Sequence, residues 1–164
     1  MRFDTSLVAG YGRRCRFNHV QVIVCLPVSP KGRIFPTTFW LTCPHLIHMA
    51  GKIESHQGVH ELEAYMNEHE LNHEWRAYNL AHQAIRLSLL NSHQLSFIRK
   101  YHTSTFKHLI KTGIGGIRYR ENITVKCLHL QTASYLGLNY HPAQEWLKSK
   151  GLNSECESCM CKKI

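Results

Sequence analysis

Val20-Gln21-Val22-Ile23-Val24-Cys25-Leu26, then Pro27 to Gly32, then Thr37-Thr38-Phe39-Trp40-Leu41-Thr42, is the stretch that decides the fold. The first run is dense in β-branched residues and reads as a buried strand. Two prolines, a serine and Lys31-Gly32 supply turn chemistry after it. The second run reads as another strand, and the short connection makes the pair an antiparallel hairpin. Pro44 stops that strand and opens a helix over about Pro44 to Ser55, with Leu46, Ile47, Ala50 and Ile53 on it. Gln57-Gly58 breaks it.

Downstream the apolar spacing is helical. Val59 to Leu90 is the longest such stretch, with Leu71, Trp75, Tyr78, His82, Ile85 and Leu89 at alternating intervals of three and four. Asn91-Ser92 marks a break. A further helix spans about Gln94 to Thr112 and ends at Gly113-Ile114-Gly115-Gly116. Ile123-Thr124-Val125 is extended. A helix through Leu130, Ala133 and Leu136 follows, and Pro142 opens a last short one that Gly151 ends. The order predicts an α+β domain, a small antiparallel sheet near the N-terminus packed against several helices. Residues 1–151 form the domain, and 152–164 a Cys-rich tail.

Composition narrows the chemistry. The chain has 164 residues, 13 His and 7 Cys, about three times ordinary usage of the two types together. Asp4 is the only aspartate, which argues against two-metal nucleases and other sites built on Asp clusters. The formal net charge is +9, which admits a polyanion or nucleic acid as partner. The N-terminal segment lacks the apolar core of a signal peptide, and no stretch approaches the ~18 apolar residues of a membrane span. The chain is therefore read as cytoplasmic with no membrane partner, where cysteines are free thiols, metal ligands or catalytic groups.

Cys156, Cys159 and Cys161 form Cys-x-x-Cys-x-Cys, and its first pair is a bidentate metal clamp. Further ligand candidates are Cys15, Cys43, Cys127 and His129. Cys43 precedes Pro44 at a helix N-terminus, where free amides stabilise a thiolate as ligand or nucleophile. Cys25, in mid-strand, reads as packing. His69-Glu70-Leu71-Asn72-His73 matches His-Glu-x-x-His, but charged flanks and the position off the apolar stripe make it a solvated face rather than a zinc protease. His82, on the stripe, reads as a hydrogen-bonded core residue. Gly115, Gly116 and Arg118 could present amides and a guanidinium to an anionic ligand; the plainer reading is a helix C-cap and turn. Basic residues cluster at Arg13, Arg14 and Arg16; Arg99 and Lys100; Lys107 and Lys111; Lys162 and Lys163.

Cys15-Arg16-Phe17, Phe35-Pro36-Thr37-Thr38-Phe39-Trp40-Leu41-Thr42-Cys43-Pro44, Ile53-Glu54, Gly115-Gly116 and Val125-Lys126-Cys127-Leu128-His129 are blocks that resemble an uncharacterised bacterial family, domain-of-unknown-function family 501. The resemblance runs from about Cys15 to Trp146. It implies a small cytosolic bacterial protein with no established activity. It also implies Cys at positions 15 and 127 and Cys or His at position 43, an exchange that a zinc ligand tolerates and a thiol nucleophile does not. This chain departs from the family pattern at Asn18 and Val20, where Gly and Pro are usual, and around Pro142.

The leading expectation is a zinc-binding module, an iron–sulfur cluster being the alternative cofactor. Cys15, Cys43, Cys127 and His129 gather one ion, and Cys156 and Cys159 complete that site or clamp a second. The competing expectations are a thiol- or metal-dependent enzyme acting on an anionic substrate, and a basic polyanion-binding protein.

Overall fold

The computed structural model describes residues 3–29, 32–119, 122–159 and 161. Pro30 and Lys31 of the expected turn, Arg120, and the Lys162–Lys163 pair lie outside the described residues. Among the described residues there are three strands and seven α-helices, an α+β arrangement.

The hairpin forms as the sequence predicts. β2 (Val22–Cys25) pairs antiparallel with β3 (Phe39–Leu41), Ile23 facing Trp40. The sheet has one more strand than expected. β1 (Val8–Tyr11) lies on the other side of β2, antiparallel, with the register slipping by one residue between Val8 and Gly10. An isolated Arg14–Val20 bridge prolongs this pairing to a tight loop that presents Cys15. Asn18 sits in that loop at φ 61°, left-handed backbone that glycine or asparagine accepts.

α1 (Pro44–Glu54) starts at its proline with Cys43 as N-cap. The long helical stretch is in fact two helices, α2 (Gly58–Glu68) and α3 (Asn72–Ser88). His69 is the C-cap of α2, Glu70 is left-handed at φ 54°, and His73 lies in the first turn of α3. His69 and His73 therefore do not share a helix face. The next stretch also divides, into α4 (Ser92–Tyr101) and α5 (Thr103–Lys111), with His102 between them. A 3-10 turn at Ile114–Gly116 and irregular chain lead to α6 (Leu128–Leu138), and α7 (Gln144–Ser149) closes the order.

α6 is the centre of the molecule. Leu128, Leu130, Ala133, Tyr135 and Leu136 are buried, and so are Gln131, Thr132 and Ser134 on its other faces. A helix buried on all sides lies within a core rather than over it, and α6 rests on β3, β2 and α1 together. The main core joins Val22, Phe39, Leu46, Leu62, Trp75, Leu128 and Leu147, and Leu152 of the tail segment belongs to it. A satellite cluster of Leu90, Ile98 and Leu109 holds α3, α4 and α5 together.

Candidate functional site

The candidate ligands separate into two groups at opposite ends of α1. At its N-terminal end, three segments meet. Arg16 N donates to Glu155 Oε2 at 3.1 Å, and the Arg16 guanidinium donates to the Cys156 carbonyl. His45, in the first turn of α1, bonds through Nε2 with Ser154 Oγ at 3.0 Å. The Cys15 loop, the Cys43 cap and the Cys-rich segment are thereby pinned to one another. The Cys161 thiol is held above the ordinary thiol range, first by burial and then by the charges of the Cys43, Cys159, Cys15 and Cys156 sulfurs. Five cysteines thus share one electrostatic neighbourhood. All seven cysteines are free thiols. Among the described residues, no three His, Cys, Asp or Glu side chains stand in an arrangement that could hold a metal ion.

Cys127 and His129 belong to the other end. Cys127 is the N-cap of α6. The carboxylate of Glu54, the last residue of α1, accepts the backbone N–H groups of Leu128 and His129 and the His129 Nδ1–H at 3.0 Å. Eleven helical residues lie between Cys43 and the end of Glu54, about 16 Å of axis. His129 therefore does not share a site with the sulfurs around Cys161. The Cys127 thiol is pushed up, chiefly by burial, with amide hydrogen bonds from Leu130 and His129 opposing the shift. That favours the protonated thiol over the free thiolate. Lys126, Cys127 and His129 border an apolar cavity of about 370 Å³ walled by Phe39, Trp40, Leu41, Ile47 and Leu130.

Cys25 is fully buried, and burial raises its thiol to about 12, in keeping with a packing role. His82 is buried as well, edge-on to Phe39 and Tyr78, with Nε2 lacking a hydrogen-bond partner among the described residues.

The glycine turn divides its residues between two tasks. Gly115 is buried, and a Cβ there would come within 2.4 Å of Leu130 Cδ2. Gly116 and Arg118 instead line a polar cavity of about 800 Å³ with Lys107, His108 and Lys111. Gly116, at φ +83°, brings its backbone against the His108 ring. Sequence reading pairs Lys107 with Lys111 but does not bring either to Arg118. It notes Cys161 in the tail motif without assigning it to a site. Its place as third member of Cys-x-x-Cys-x-Cys is the signal that could have done so. Glu54 stands out in the sequence only as part of Ile53-Glu54, because a cap that acts across 74 residues leaves no local pattern.

No helix among the described residues is long and apolar enough to cross a membrane. No curated protein and no solved structure matches the chain. One family model does match, over residues 11–149, most of the chain and all seven helices. The chain therefore belongs to DUF501, the family described as protein of unknown function.

Proposed function

We propose that this protein is a metal-binding module in which four of the five thiolates of Cys15, Cys43, Cys156, Cys159 and Cys161 ligate one zinc ion, an iron–sulfur cluster being the alternative. The observation that carries the reading is the meeting of the β1–β2 loop, the α1 N-terminus and the Cys-rich segment, sealed by the Arg16–Cys156 and His45–Ser154 contacts. Cysteines from three distant segments are what a closed tetrahedral sulfur site uses. Neighbouring thiolates repel one another once ionised, and a divalent cation reverses that repulsion. Binding requires the sulfurs to close to coordination distance. The module would be structural: the ion would tie the C-terminal segment to the sheet and α1. Cys127 and His129 are left out of this site by their place beside Glu54.

Elemental analysis of protein purified without an affinity tag tests the reading. About one metal per chain is expected, with a lower melting temperature in chelator. Cys159→Ser with Cys161→Ser should lose the metal, whereas Cys127→Ser should keep it. Under about 0.2 metal per chain, with melting unchanged in chelator, would overturn the proposal.

A further inference from the structure

The cavity beside the glycine turn has a one-sided charge. Lys107 and Lys111 reach it from successive turns of α5, His108 lies between them, and Arg118 faces it from the segment after the 3-10 turn. None of its described lining residues is acidic, and neither lysine nor Arg118 has a carboxylate partner among the described residues. Thr112, Asn122 and Thr124 add neutral hydrogen-bonding groups to the wall.

A fourth cation lies beneath. Arg86 of α3 is buried, and no carboxylate pairs with it among the described residues. Its guanidinium donates to Leu109 O at 3.3 Å, Thr112 O at 3.2 Å, Thr112 Oγ1 at 3.0 Å and the Gly113 carbonyl. It thereby fixes the end of α5 against the glycine turn, which sets the cavity's shape before any ligand arrives. Burial and the Arg86 and Arg118 charges lower the His108 pKa, so the positive field is felt inside the cavity. A concave site with fixed walls and unpaired cations concentrates anions from solution.

The lining also narrows the ligand class. His108 is its only ring, and no aliphatic side chain faces it among the described lining residues. A nucleobase would find little to stack on. Two lysines and an arginine spread around about 800 Å³ exceed what one phosphate engages. We infer that this cavity binds a small anion carrying two or more phosphoryl groups, held by Lys107, Lys111 and Arg118 around the Gly116 turn. This site is independent of the sulfur cluster, and its variants should leave metal content unchanged.

Calorimetric titration of the full chain with inorganic pyrophosphate, at about 50 mM salt, tests the inference, with orthophosphate, citrate and a short duplex DNA run in parallel. Pyrophosphate should bind at one site per chain and more tightly than orthophosphate or citrate. Lys107, Lys111 and Arg118 are exposed, so their replacement spares the core. Lys111→Gln with Arg118→Gln should weaken pyrophosphate at least roughly tenfold, the scale of one lost charge-assisted contact. Lys52→Gln, on α1, should change nothing. Equal losses in the Lys52 variant would reduce the effect to net charge and overturn the site. Orthophosphate or citrate binding as tightly as pyrophosphate would overturn the ligand class. So would DNA binding more tightly through the same residues.

Discussion

Glu54 Oε1 accepts three donors at the start of α6, two backbone N–H groups and the ring of His129. Cys127, the N-cap by position, makes no side-chain capping bond. The carboxylate therefore performs from α1 what a serine or aspartate usually performs within the helix, and adds a favourable charge at the positive end of the dipole. Removing it leaves half-buried amides without a partner. Glu54→Ala should cost about 1–3 kcal/mol, read as a lower urea midpoint at unchanged slope, while Glu54→Gln, which keeps an acceptor oxygen, should cost less. Equal midpoints for wild type and Glu54→Ala would contradict the capping role. Gly113 is as tightly specified. A Cβ there would lie 2.0 Å from Asn79 Oδ1, the atom that accepts the Ile114 N–H. Gly113→Ala forces Asn79 aside and should destabilise by about 1–3 kcal/mol; a midpoint within error of wild type would show that the turn yields more easily than the packing implies.

At the scale of elements, the two helix breaks escaped the sequence pattern for the same reason. Neither carries glycine or proline, so apolar spacing runs through both. At the first break, the Leu71 N–H bonds Met66 O and the Glu70 N–H bonds Asn67 O, the paired bonds of a Schellman ending. Glu70 occupies the left-handed position that such an ending usually gives to glycine. His69 stacks on Tyr65 with ring centroids 4.0 Å apart and donates from Nδ1 to the Tyr65 carbonyl, which supports the stop from the side. Glu70→Gly should therefore stabilise, by about 0.5–1 kcal/mol, a small rise in melting temperature. A fall would mean that the Glu70 side chain contributes more than its backbone strain costs. The Asn91 break, by contrast, was legible: Asn91 and Gln94 form a reciprocal capping box, and that chemistry is written in four consecutive residues. β1 was missed because Val8-Ala9-Gly10-Tyr11 has a glycine and slips register, so it offers no two-residue alternation.

Across the whole molecule, legibility followed the range of the interaction. The β2–β3 hairpin, the Pro44 start and the buried Cys25 depend on neighbours in sequence, and were read there. The division of candidate ligands between the two ends of α1 depends on which distant segments α6 and the C-terminal residues pack against. No spacing encodes that. The polar core has the same origin. His82 and His141 are buried near Tyr78, and burial lowers both to about 3, with Arg86 adding to the shift at His82 and His82 to that at His141. Around His141 the bonding requires the neutral ring: Nδ1 accepts the Ala143 N–H at 3.0 Å, and Nε2–H donates to Gln131 Oε1 at 2.9 Å. Protonation would strip Nδ1 of its acceptor role and place charge beside Trp75 and Tyr78. In the unfolded chain both rings titrate near 6.5. Between pH 6.5 and 3 the unfolded state therefore binds protons that the folded state refuses. Stability is complete above 6.5, falls as pH drops through this window, and reaches its floor near 3. The loss by pH 5 should be on the order of 2 kcal/mol per histidine. Urea unfolding from pH 8 to 4.5, in chelator so that the proposed metal contributes nothing, should show the midpoint falling below about pH 6.5. His141→Gln removes one titrating group, so its fall should be shallower even where its stability at pH 8 is lower. A midpoint level between pH 7 and 5 would mean that the buried rings take up protons without leaving the core.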